Sequence, residues 1–321
     1  RTAEYSTGSD TDSTKLGAYW TINDSVSLRA SFQTAQRHAN ISELYAAVSD
    51  GLVDLDNDPC ATPQQDGSPA TATQAQCANT GLPASLYGTD LNSPADQYNV
   101  KGGGNPNVAP EESESTTIGV VLTPDSVPGL SVTLDYFDIT VEDGIGSISA
   151  KTALDNCIST GAASYCGLIN RRADNGSLWL QGGYISQQLT NIGEESTSGF
   201  DVIFSYGLDT DWGPVSIEGV TTLLDSYDIV ELPGSPAISC SGNWGGSCGK
   251  NPMPEFMGKY QATLSTDFDT DFTVGLRHLG ETDDLNSNQI DFDAITYVDL
   301  RAQYTPTDNL VVTFGINNFF D

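Results

Sequence analysis

Alternation of apolar and polar residues with a period of two recurs along this 321-residue chain, and no other feature narrows the fold as far. Leu16, Ala18, Trp20 and Ile22 alternate with Lys15, Gly17, Tyr19 and Thr21; Val26, Leu28, Ala30 and Phe32 alternate with Ser27, Arg29, Ser31 and Gln33. Five further segments repeat the pattern, at 116–123, 200–207, 272–277, 297–304 and 310–317. Successive side chains of a strand point to opposite faces, so each segment is a strand with one apolar face. Residues 130–141, 214–223 and 258–266 fit less cleanly. Near Tyr136-Phe137 the phase slips by one, the mark of a bulge or of the end of a buried span.

Connection lengths alternate as well. Five are tight, at 21–26, 123–129, 207–213, 266–272 and 305–309, and are rich in Pro, Gly, Asp and Asn. Between the pairs lie long polar excursions at about 35–114, 142–196, 224–256 and 281–294. Short turns at one end and long loops at the other describe an antiparallel transmembrane β-barrel, whose spanning strands need about 9–11 residues. A soluble β-sandwich also alternates, but a compact domain seldom places so long a loop between neighbouring strands.

Charge narrows the partners. The chain carries 43 acidic and 12 basic residues, for a formal charge of −31. Phosphate backbones are bound by clustered Lys and Arg, so nucleic acid is excluded as a partner. The acids, among them Asp50, Glu111 and Glu114, concentrate in the loops and read as a solvated face, with attraction of a cationic or metal-carrying ligand as the alternative. No run of 18 apolar residues is present, so a transmembrane helix is not expected.

The six cysteines fall as close pairs within single long loops: Cys60 with Cys77, Cys157 with Cys166, and Cys240 with Cys248. Their spacing is not that of a zinc site, so disulfides formed in an oxidising compartment are expected. Local pairing is the simplest of about 15 connectivities. Each bridge would then pin a loop with little core of its own, contributing about 2–4 kcal/mol.

Chemistry is sparse. The two histidines, His38 and His278, sit in no triad motif, no GxSxG occurs, and Gly102–Gly104 lacks the context of a phosphate loop, so no catalytic residue and no organic cofactor is expected. Asp54, Asp56 and Asp58 have calcium-loop spacing, but Pro59 stands where the turn needs glycine and Gln65 where a bidentate glutamate belongs. What remains there is a looser surface calcium site as the one metal candidate. Residues 147–159 read as a short helix beside a disulfide.

The stretches RHANISELY (37–45), GGGNPNVAPEESESTTIGVVLTP (102–124), GLSVTLDYFDITVEDGI (129–145), ESTSGFDV (195–202) and TYVDLRAQYTPTDNLVVTFGINNFFD (296–321) resemble, in order, the TonB-dependent receptors of Gram-negative outer membranes. GNPNVAPEES and the closing INNFFD are the most specific. The resemblance implies about ten strands of a 22-stranded barrel, with short turns in the periplasm and the long, cysteine-bearing loops outside the cell. It also implies that residues 1–321 are the C-terminal portion of a longer chain whose plug domain, TonB-contacting segment, early strands and final strand lie elsewhere.

Function would reside where ligand passes. Arg29, Asp201, Glu218, Arg277, Asp299 and Arg301 are expected to face the lumen, paired with one another or with the plug, or lining a ligand path. Arg37, His38, Asn40 and Glu43, with aromatics such as Tyr87, Tyr98, Trp179 and Trp244, are the loop candidates for ligand contact. The activity that the resemblance implies is import of a scarce small-molecule nutrient, such as siderophore-bound iron, an oligosaccharide, a peptide or cobalamin, energised through TonB, in contact with outer-membrane lipid. The alternatives are a secreted or surface adhesion or carbohydrate-binding module and a passive porin.

Overall fold

The computed structural model describes residues 1–7, 10–64, 66–232, 235–285 and 290–320. Gln65 and part of the 281–294 connection, both used above, lie outside the described residues. The chain divides into two compact units, residues 1–37, 112–142 and 193–321 in the first, and residues 38–111 and 143–192 in the second.

The first unit is built on ten long strands: β1 Thr14–Asn23, β2 Val26–Arg37, β3 Glu111–Leu122, β4 Leu130–Glu142, β5 Glu194–Thr210, β6 Gly213–Val230, β7 Phe256–Thr266, β8 Thr270–Leu279, β9 Ile295–Thr307 and β10 Leu310–Ile316. Each pairs with the next in the chain, so the sheet is an antiparallel meander with β1 and β10 at its edges. All five tight connections are hairpin turns of this sheet. At the β5–β6 turn Gly213 adopts φ +123°, and an added Cβ would lie 1.9 Å from the Ser265 carbonyl oxygen, so only glycine fits there.

Register shows how the faces sort. Leu16 pairs with Phe32 and Trp20 with Leu28; Ile118 pairs with Tyr136, Tyr136 with Phe200, and Leu276 with Val298. Directly paired residues share a face, so these apolar side chains form one continuous surface. Leu16, Trp20, Ile118, Phe272 and Phe314 on it are 51–70% exposed. Each such side chain left in water forgoes about 1.5–3 kcal/mol of burial, so a face of this kind is built for hydrocarbon. The opposite face carries Lys15, Tyr19, Arg29, Asp135, Asp201, Glu218, Lys259, Gln261, Arg277, Asp299 and Arg301, with Val121, Ile203 and Val220 among them.

One local expectation resolves to the second of its two alternatives, and one changes. No bulge lies at Tyr136-Phe137: β4 keeps unbroken register with β3 and β5. The phase slips because the apolar stripe ends there, with Asp138 on the apolar side accepting from the Tyr136 hydroxyl at 3.1 Å. Strands β5 and β6 run to 17 and 18 residues, beyond what a membrane crossing needs. The excursion between β6 and β7 holds the Cys240–Cys248 disulfide.

The second unit is more than pinned loop. Its sheet orders 169–170, 184–188, 97–103 and 49–54, with the middle pair parallel. Tyr98, Leu91, Leu178, Ile185, Leu154 and Cys157 are buried. The expectation that the loops have little core of their own is thus corrected: residues distant in sequence build one. The Cys60–Cys77 and Cys157–Cys166 disulfides lie within it. The expected helix appears at Ala150–Thr160, capped by the Ser149 side chain and closed by Gly161. Among the described residues no helix is long and apolar enough to cross a membrane.

Candidate functional site

The polar face of the ten-strand sheet brings the chain's charges into a row. All six side chains expected to face inward lie on it. Arg29 on β2 reaches over β3 to Asp135 on β4, with Nε donating to Oδ1 at 2.8 Å and Nη2 to Oδ2. The crossing needs Gly119 on the intervening strand, where an added Cβ would lie 1.8 Å from Asp135 Oδ1. Further along, Asp201 accepts from the Thr222 hydroxyl at 2.6 Å, and Glu218 accepts from the Gln261 amide.

Arg277 on β8 donates from Nε and Nη2 to the two oxygens of Asp299 on β9, at 3.0 and 3.3 Å. Its guanidinium lies 5.0 Å from the Tyr297 ring centroid. The Asn318 backbone N–H also donates to Asp299 at 2.9 Å. Arg301 donates to the neutral Gln303 side chain. Solvated pairs of this kind contribute at most about 1 kcal/mol each, so they order the wall more than they stabilise it.

The loop candidates divide. Arg37 ends β2. His38 is buried and precedes Ala39, which forms a small core with Leu44 and Val108 against which Ile145 packs. Asn40 caps the helix Ile41–Tyr45: its Oδ1 accepts from the Glu43 N–H at 2.9 Å, and Glu43 Oε2 accepts from the Asn40 N–H at 2.7 Å. A reciprocal box of this type is worth about 0.5–2 kcal/mol and engages both side chains in holding the segment. Three aromatics are also engaged: Tyr87 donates to Ala72 O at 2.9 Å, Trp179 to Leu91 O at 3.2 Å, and Trp244 to Ile290 O at 3.1 Å.

The three aspartates of the calcium candidate separate. Asp58 is fully buried, accepting from Arg171 Nη1 at 2.6 Å, Arg171 Nη2 at 3.0 Å and the Cys60 N–H at 3.0 Å. Asp54 and Asp56 line a cleft of about 300 Å³ together with Lys151 and Asp155. Among the described residues no three of His, Cys, Asp and Glu gather closely enough to hold a metal ion.

Sequence reasoning missed Arg171, which also donates to Thr80 Oγ1 at 2.7 Å and Gly176 O at 3.0 Å. Nearby Tyr98 is buried, and burial pushes its phenol up to about 12. Asp135 was also missed, because the phase slip two residues on hid which face it takes.

The family described as TonB dependent receptor-like, beta-barrel, matches residues 2–319. A search of curated proteins finds no match. Among solved structures, a ferric enterobactin receptor from Pseudomonas aeruginosa is 14% identical with a TM-score of 0.57, covering 98% of this chain and 35% of that one. The siderophore receptor PirA from Acinetobacter baumannii is 13% identical with a TM-score of 0.57, covering 98% of this chain and 38% of its own. The copper transporter OprC is 12% identical with a TM-score of 0.53, covering 97% and 34%. At these identities the likeness shows a shared fold. The chain spans about a third of the length of those structures. With its meander, its apolar outer face and the family match over nearly all its residues, the chain belongs to the β-barrel family of the TonB-dependent receptors, outer-membrane proteins of Gram-negative bacteria.

Proposed function

We propose that residues 1–321 form the C-terminal part of the barrel of an active transporter that draws a scarce small molecule across the outer membrane, energised through TonB. The observation that carries this reading is the division of the ten-strand sheet into one apolar face and one row of charged and polar groups, within a chain of this family. The apolar face meets lipid; the polar row lines the path. The short turns lie in the periplasm and the long connections outside. TonB acts through a plug and contact segment carried elsewhere in the whole protein.

No covalent step is needed. Binding, rearrangement of the plug and passage are changes of contact, so the wall residues Arg29, Asp299 and Arg301 act by holding and releasing a ligand. The loop residues Arg37, His38, Asn40 and Glu43 shape the segment at which the chain leaves β2. Asn40 and Glu43 do so by capping a helix, which leaves ligand contact mainly to the wall.

Uptake tests the reading. Cells carrying the full-length gene should accumulate a limiting nutrient, and accumulation should vanish on deletion of TonB or collapse of the proton gradient. Uptake that survives both treatments would make the protein a passive pore.

A further inference from the structure

Cations are scarce in this chain, 12 against 43 acids, yet three stand together on the polar face of β7, β8 and β9. Lys259 and Arg277 are direct partners in the β7–β8 register. Arg301 faces Thr273 in the β8–β9 register, two residues along from the Gly275–Asp299 pair. Like charges placed directly opposite weaken a ladder, and the one carboxylate among them, Asp299, offsets only part of the three charges. Asp299 pairs with Arg277. Among the described residues, Lys259 and Arg301 form no salt bridge, and Arg301 donates to neutral Gln303. All three cations are exposed.

They border one hollow of about 220 Å³ that Asp299, Thr273, Thr313 and Asn317 also line. Its floor is Gly275 and Gly315, where an added Cβ would find its nearest neighbour 3.7 Å away. The wall is therefore recessed where the cations converge. Lys offers a mobile point charge and Arg a planar fork, which together suit the oxygens of a carboxylate or phosphate. With three cations against the single carboxylate of Asp299, the lining keeps a positive excess that concentrates anions.

Resting on the transport reading above, we infer that this hollow is an anion subsite on the barrel wall, and that the cargo presents to it a carboxylate or phosphate group. A carboxylate from a part of the same protein outside residues 1–321 would satisfy the same chemistry, and the test separates the two sources.

The full-length protein in detergent is titrated with inorganic pyrophosphate at low ionic strength, alongside Lys259→Gln, Arg301→Gln and the double variant. Wild type should bind saturably, each single variant about tenfold more weakly, and the double variant not at all. Binding should weaken as salt rises. Lys151→Gln, on an exposed helix position in the second unit, should bind like wild type. Without pyrophosphate the melting temperature and heat-modifiable gel migration should be the same in all variants. Equal binding by wild type and the double variant overturns the subsite. So does a wild type that binds nothing while the double variant melts lower, since the cations then pair with the protein's own carboxylates. Uptake is scored separately. Pyrophosphate binding lost in the variants, with no energised uptake by wild type, removes the transport reading and leaves the subsite. Energised uptake with unaltered binding in the double variant removes the subsite alone.

Discussion

Arg171 grips Asp58 with two hydrogen bonds, at 2.6 and 3.0 Å, across 113 residues of chain, and both side chains are 0–1% exposed. Thr80, Gly176 and the Cys60 N–H complete the network beside the Cys60–Cys77 disulfide. Burying two charges is costly, and removing one partner leaves the other uncompensated. Asp58→Asn should destabilise the second unit by about 3–5 kcal/mol. The paired change Asp58→Leu with Arg171→Met should recover most of that loss. Limited proteolysis of the full-length protein, read as cleavage within 38–111 and 143–192, checks both. Equal cleavage of wild type and Asp58→Asn would show that the pair does not hold the unit together.

Gly119 makes the Arg29–Asp135 pair geometrically available. Gly119→Ala would bring a methyl within 1.8 Å of Asp135 Oδ1 and 3.2 Å of Arg29 Nε, separating the pair. Overpacking of this sort costs about 1–3 kcal/mol, so the barrel should lose its heat-resistant gel mobility at a lower temperature. Gly207→Ala is the control, since nothing lies within 4 Å of a Cβ there, and it should behave like wild type.

Much of the barrel was legible because its signal is local. Strand period, turn chemistry and loop length sit in adjacent residues, and the faces read for β1, β2, β5, β8, β9 and β10 are those that the register shows. The second unit was not legible for the opposite reason. Tyr98, Leu178 and Ile185 come from segments with no shared period, and Arg171 beside Arg172 looks like any exposed pair until Asp58 is placed against it. At the candidate site the inward charges were foreseen. Lys259 was not singled out, because its segment alternates poorly and only the pairing with Arg277 shows its face.

Alkaline pH should loosen the second unit through Tyr98. Burial holds its phenol neutral up to about 12, whereas an unfolded chain releases that proton near 10. The folded form therefore binds the proton more tightly. Stability is whole below about pH 10 and falls as pH rises toward 12, by up to roughly 2–3 kcal/mol. Proteolytic protection of 38–111 and 143–192, followed from pH 9 to 12 with an alkali-tolerant protease, should decline over that window. In Tyr98→Phe this component of the decline should be absent. An identical decline in both proteins would assign the effect to another group.

Depth and lipid contact at alternate positions test the central claim most directly. Nitroxide labels are placed singly at Val202, Phe204, Val312 and Phe314, and at Asp201 and Thr313, in the full-length protein reconstituted in liposomes with its disulfides intact. On this account the first four are strongly relaxed by oxygen, which partitions into lipid, and weakly by a water-soluble nickel reagent, while Asp201 and Thr313 show no lipid contact. Equal exposure of both sets to the nickel reagent would contradict a membrane-spanning sheet with its apolar face in hydrocarbon.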